Sequence, residues 1–199
     1  MSPLMRNSAP AVTCRMAWFQ NRTWSRTWTG AACLLGVATL AASCGGSPSA
    51  AGHHTDQSST TNASSQAATI LSAYRAEQAA FEQAVHNADP TLPALAQTMT
   101  GAQLDSVRRA LIADKANGIV GRGTVQLHPK VSYVHGTQAL VLDCAFDSSK
   151  LVYAATGKPV PPVTPPEKVG VRSQLTEVSP GVWKVSDQHT SGGSCPSGY

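Results

Sequence analysis

Asp143 is the residue that most invites a chemical reading. It interrupts the apolar stretch Ala139-Leu-Val-Leu-Asp-Cys144, and a carboxyl group in such surroundings is pushed toward its neutral form, which suits it to take and return a proton. Alternation along a strand places Asp143 with Val141 and Ala145 on one face, and Leu140, Leu142, Cys144 and Phe146 on the other. If the first face lines a cavity, Asp143 is a candidate general base, with His128, Tyr133 and His189 on neighbouring strands as candidate proton partners. If that face is solvated, or the carboxylate caps a turn, Asp143 is structural, and a single acid without a recognisable partner pattern weighs toward the structural role. The chain contains no G-x-S-x-G, H-E-x-x-H, Walker loop or Cys-x-x-Cys, so the chemistries those motifs carry are not expected. Gly118, Gly121 and Gly123 do not form G-x-G-x-x-G and read as turn residues entering a strand. No metal or cofactor is expected.

The cysteines carry a second kind of chemistry. Arg6, Arg15, Arg22 and Arg26, with no acid among them, precede the apolar run Gly30 to Ser43, and small residues follow. That is the pattern of an export signal, and the run is too short for a bilayer, which takes about 20 apolar residues. Leu40-Ala-Ala-Ser-Cys44 resembles the lipobox of bacterial lipoproteins, in which a thiol nucleophile takes a diacylglyceryl group and becomes the mature N-terminus. Residues 1–43 are therefore expected to be a lipoprotein signal peptide, with Met16 as an alternative start, and Cys44 the lipidated residue. Cys14 and Cys33 leave with the signal, so Cys144 and Cys195 remain, and two cysteines in an oxidising space most simply form one disulfide. A metal site or reactive thiol is the alternative, with no His-x-His or Cys-x-x-Cys nearby to support it.

The same cut removes the basic excess. Net charge is +4 for all 199 residues, yet every charge ahead of Cys44 is an arginine, and the remainder has equal numbers of basic and acidic side chains. A nucleic-acid footprint is therefore not expected. Residues 44–66 hold no large apolar side chain and read as a flexible tether, on which His53-His54 is ordinary solvated sequence.

Residues 67–199 are read as one domain. Ile70, Tyr74, Phe81 and Val85 recur at helical spacing over 67–88, and Asp89-Pro90 ends that helix. A short helical turn is expected over 92–99. Thr100-x-x-Gln103 resembles a capping box for a helix carrying Leu104, Val107 and Leu111, and Asn117-Gly118 ends it by tolerating positive φ. Beyond Gly118 the period becomes two, in Val125/Leu127, Val131/Tyr133, Leu140 to Phe146, Val169 to Leu175 and Trp183/Val185. Helices followed by strands give an α+β class: N-terminal helices packed on a strongly curved antiparallel sheet. Lys158 to Pro166 (KPVPPVTPP) has too many prolines for a central strand and reads as a stiff hairpin connection, in preference to a PxxP ligand.

A long Ala-rich helix, a second helix closed by Asn117-Gly118, the Ala139–Cys144 strand, a Pro-rich excursion and a final Gly181-Val-Trp-Lys-Val185 strand resemble a SnoaL-like domain of the nuclear transport factor two superfamily, as found in actinobacterial lipoproteins. The resemblance implies a cone-shaped fold whose interior serves as an enzyme pocket or as a passive binding surface. The expected function is a lipid-anchored protein on the outer face of the cell membrane whose domain binds a small apolar ligand or another envelope protein without catalysis. The alternative is a lipid-anchored isomerase or dehydratase using Asp143 in the cone pocket.

Overall fold

In the computed structural model the described residues are 57–195 and Tyr199, with side chains from Ala63 onward. The export signal, Cys44 and the first part of the expected tether lie outside the described residues.

Helix α1 spans Gln57–Asn87 and so starts ten residues before the expected tether ends. Residues 57–66 contain neither glycine nor proline. Ala63 to Gln66 are exposed and bury nothing, but once a helix is nucleated over the apolar stripe each further residue adds a backbone hydrogen bond without a new nucleus. Composition excluded a core contribution from this stretch, not a helix. At the other end Asp89 N–H donates to the Ala84 carbonyl (2.9 Å) and Ala88 takes φ 46°, closing α1 just ahead of Pro90.

Helices α2 (Pro93–Thr98) and α3 (Gly101–Ala116) follow. The capping box expected at Thr100 does not form. Its side chain makes no cap hydrogen bond; instead Thr100 N–H donates to the Val185 carbonyl (2.9 Å), and Gln103 Nε2 donates to Gln188 Oε1 (3.2 Å). Both residues thus tie the α2–α3 junction to the sheet, and tertiary partners displace the local ones. Ala84, Leu95, Met99, Val107 and Leu111 form the core between the three helices. Gly118, at φ 65°, ends α3 in the left-handed region where glycine has no Cβ to obstruct it.

Strands β1 (Ile119–Arg122) and β5 (Lys150–Tyr153) form a two-stranded antiparallel ribbon. Gly121 lies against α1 so closely that a Cβ there would stand 2.4 Å from Val85 Cγ1. The main sheet comprises β2 (Val125–Gln126), β3 (Pro129–His135), β4 (Gln138–Asp147), β6 (Glu167–Ser179) and β7 (Val182–Gly192). Its order is β2-β4-β6-β7, all antiparallel, with β3 also pairing β4. Register shifts between Val131 and Tyr133, Gln174 and Leu175, and Glu177 and Ser179 bend the sheet, as bulges do.

Helix α1 lies along the inner face. Ile70 and Tyr74 pack with Ala139, Val141, Leu175, Trp183 and Val185, all buried; each large side chain so enclosed contributes about 1.5–3 kcal/mol of burial. In the Pro-rich connection, Val160 N–H donates to the Leu151 carbonyl (2.9 Å) and Pro159 bridges Val152, so its start extends the β5 ribbon and no strand follows before Glu167.

Candidate functional site

Asp143 faces inward, as alternation along β4 requires, and is fully buried (0% exposed). Both carboxylate oxygens are engaged: His128 N–H donates to Oδ1 at 2.7 Å and the Tyr74 hydroxyl donates to Oδ2 at 2.9 Å. Tyr74, itself completely buried, projects from the centre of α1 onto β4, so the pair bolts helix to sheet across 69 residues of sequence. One turn further along α1 lies Glu77, 1% exposed, with Gln78 Nε2 donating to its Oε2 at 2.8 Å. Ser173, paired with Val141 across β4 and β6, is buried on the same face, and its hydroxyl has no hydrogen-bond partner among the described residues.

Burial sets the protonation of this group. Desolvation pushes the Glu77 carboxyl up to about 8, opposed by the Gln78 hydrogen bond. Asp143 is also raised by desolvation, while the donors His128 N–H and Tyr74 O–H pull the other way. The Tyr74 phenol is driven far above its ordinary value, by burial first and then by the neighbouring Asp143 charge. At neutral pH Tyr74 therefore stays a hydrogen-bond donor, and Glu77 is held mostly neutral.

The three partners expected for Asp143 are placed differently. His128 contributes its backbone N–H, and its Nδ1 lies 3.3 Å from the Cys144 carbonyl oxygen instead. Tyr133 is carried to the opposite face. The register shift after Val131 pairs Tyr133 with Leu140 rather than Ala139, which reverses its side and leaves it 46% exposed. His189 pairs with Arg172 on that same outer face, where its Nε2 lies 2.9 Å from Asp187 Oδ2. Neither histidine ring nor the Tyr133 phenol meets the carboxylate. The hydroxyl that does, Tyr74, looked like an ordinary member of an apolar stripe. Glu77 was the legible signal: a carboxylate at i+3 from Tyr74 and four residues before Phe81, where the stripe calls for an apolar side chain.

The expected disulfide is present. Cys144 and Cys195 are bonded, with their Cα atoms 5.0 Å apart and 51 residues between them in sequence. It fastens the C-terminal end to β4 beside Asp143. Tyr199 returns to the same region, its hydroxyl donating to the His128 carbonyl and its ring lying 4.9 Å from Lys130 Nζ. His128 is thus held from both sides, by Asp143 at its N–H and by Tyr199 at its carbonyl.

One surface hollow, about 530 Å³, is an open groove between α1 and the β6–β7 turn, walled by Ala68, Ser72, Ala76 and Val182. Another lies against the Pro-rich connection, beside Leu151 and Val160. Neither is lined by Tyr74, Glu77 or Asp143. Among the described residues no cluster of three or more His, Cys, Asp or Glu side chains has the arrangement of a metal site.

No family model and no curated protein sequence matches this chain. Among solved structures, the intermembrane-space region of the chloroplast protein ARC6 is similar at a TM-score of 0.52 and 19% identity, over 63% of this chain and 96% of that one. The likeness is one of fold. A ketosteroid isomerase-like protein from Erwinia carotovora atroseptica is similar at 0.43 and 18% identity, covering 65% of this chain and 97% of its own. A nuclear transport factor 2-like superfamily protein from Salmonella enterica serovar Typhimurium is similar at 0.45 and 13%, covering 66% and 98% respectively. The α+β order of helices before an antiparallel sheet is the architecture expected from sequence.

Proposed function

We propose that the chain is a lipoprotein of the outer face of the cell membrane, anchored through Cys44, whose folded domain is a non-catalytic binding or protein-interaction module. The observation that carries this reading is the filled interior. Asp143 and Tyr74 are both fully buried and satisfy one another, so a substrate atom has no approach to the carboxylate without displacing a core side chain. A general base must lie within hydrogen-bond reach of the proton it takes, and here both oxygens already hold donors. The anchor rests on the signal pattern and on the cysteine pairing, which leaves Cys44 as the mature chain's one cysteine outside the disulfide. A small apolar ligand or an envelope protein is the partner class.

The second reading, a lipid-anchored isomerase or dehydratase, draws on the two raised carboxyls of Glu77 and Asp143, which would suit proton transfer if the interior opened. Two variants test the proposal. Cys44→Ala should release unprocessed or unanchored protein, and unchanged membrane fractionation and electrophoretic mobility would remove the anchor. Asp143→Asn should leave a cellular phenotype intact; a folded variant that loses it and accumulates an unconverted small molecule would select the enzyme.

A further inference from the structure

The outer face of the main sheet carries charges that the interior site does not use. Residues paired across neighbouring strands project to the same side. Lys130, Leu142, Arg172 and His189 therefore form one rank across β3, β4, β6 and β7, and Tyr133, Leu140, Gln174 and Asp187 form the next. The same parity puts Lys168 beside Phe146 and Lys184 beside Thr176. Four cations thus share this face with a single carboxylate, Asp187, which already faces His189 at 2.9 Å. Lys184 is spent on the Ala96 carbonyl (2.7 Å) and Lys130 leans on the Tyr199 ring. Lys168 and Arg172 are exposed, and among the described residues neither forms an ion pair.

This is segregation, because the chain from Cys44 onward has as many acidic as basic side chains. Strands lie about 4.8 Å apart, so the cations of one rank stand within roughly a Debye length of each other and their fields add. Leu140 and Leu142 in the middle of this face are buried (6% and 5% exposed), so the apolar surface it offers is the exposed rings of Tyr133 and Phe146. Exposed aromatic rings beside an arginine are features of a protein-binding surface, and free guanidinium and ammonium groups select carboxylates. A second copy is a poor occupant, since two-fold pairing of this face would set cations against the same cations.

We propose that the outer face of β3, β4, β6 and β7 docks an acidic protein segment, with Arg172 and Lys168 making the charged contacts and Tyr133 with Phe146 the apolar ones. This names the partner chemistry of the interaction module and rests on that reading. The test uses the full chain and fluorescein-labelled poly-L-glutamate as probe, read by anisotropy at rising salt. Binding should weaken with salt. The pair Lys168→Glu and Arg172→Glu should weaken it by about tenfold or more, while Arg75→Glu with Arg109→Glu, an equal charge change on exposed helix positions, should change it by less than about twofold. Equal losses in both pairs, or no binding, would overturn the docking face. So would binding to phosphatidylglycerol vesicles that is tighter than to poly-L-glutamate and has the same dependence on Lys168 and Arg172, which would give the face to lipid. Thermal unfolding checks that all four substitutions keep the fold, and fractionation of Cys44→Ala reads the anchor separately, so failure of the face leaves the anchor testable.

Discussion

Glu77→Gln should make the protein more stable at pH 8 and flatten its dependence on pH. In the folded chain Glu77 keeps its proton to about pH 8, whereas its ordinary value is 4.5. Between those values the unfolded chain releases a proton that the native state retains, so stability falls as pH rises, and it levels off above about 8. At 1.36 kcal/mol per unit, the step from pH 5 to pH 8 is worth about 3 to 4 kcal/mol. Glutamine has the shape of the protonated side chain and still accepts from Gln78, so the variant loses the penalty without a cavity. Asp143, raised by burial, and Asp114, raised to about 6 by partial burial, contribute in the same direction and leave a residual slope. Urea unfolding followed by far-ultraviolet circular dichroism at pH 5 and pH 8 measures both proteins. Equal slopes, or a Glu77→Gln protein that is the less stable at pH 8, would show that Glu77 is not held protonated in the folded chain.

Tyr74→Phe should cost about 1–3 kcal/mol, because it leaves Asp143 Oδ2 buried without its donor; pairing it with Asp143→Asn should recover part of that loss, and additive losses would show that the two side chains do not act together. Reducing the Cys144–Cys195 bond should cost about 4 kcal/mol on the chain-entropy model for a 51-residue separation, and thiol labelling of the unfolded, unreduced protein should find neither cysteine free. Gly121→Ala should destabilise by about 1–3 kcal/mol through contact with Val85, and Val85→Ala should relieve it; a Gly121→Ala protein as stable as the parent would contradict the close approach of β1 to α1.

Where the fold was legible, one local rule met no competitor. Asp89-Pro90 and Asn117-Gly118 end helices because backbone geometry alone decides there, and the inward aspect of Asp143 follows from strict alternation over β4. Where the reading departed from the structure, a second interaction outweighed the local rule. Thr100 and Gln103 have the spacing of a cap but find partners on β7. Tyr133 obeys alternation only up to the register shift after Val131, and nothing in Val131-Ser-Tyr133 announces that shift. The interior group was half legible. Asp143 stood out by its apolar neighbours, but its true partner is a tyrosine on a helix 69 residues away, and no strand pattern points to it. Glu77, an acid on an apolar stripe, was visible in the sequence and is the one interior residue a stricter helical reading would have named.

In the proposed function the Tyr74–Asp143 pair is a closed structural contact and not a catalytic site awaiting substrate. The Tyr74 hydroxyl proton tests it most directly, by nuclear magnetic resonance. A closed contact gives a hydroxyl resonance that exchanges slowly with water, disappears in Asp143→Leu or Tyr74→Phe, and is unmoved by a saturating small apolar probe. A proton exchanging as fast as that of exposed Tyr133, or a Tyr74 ring that shifts on addition of the probe, would mean that the interior opens, and would contradict the account.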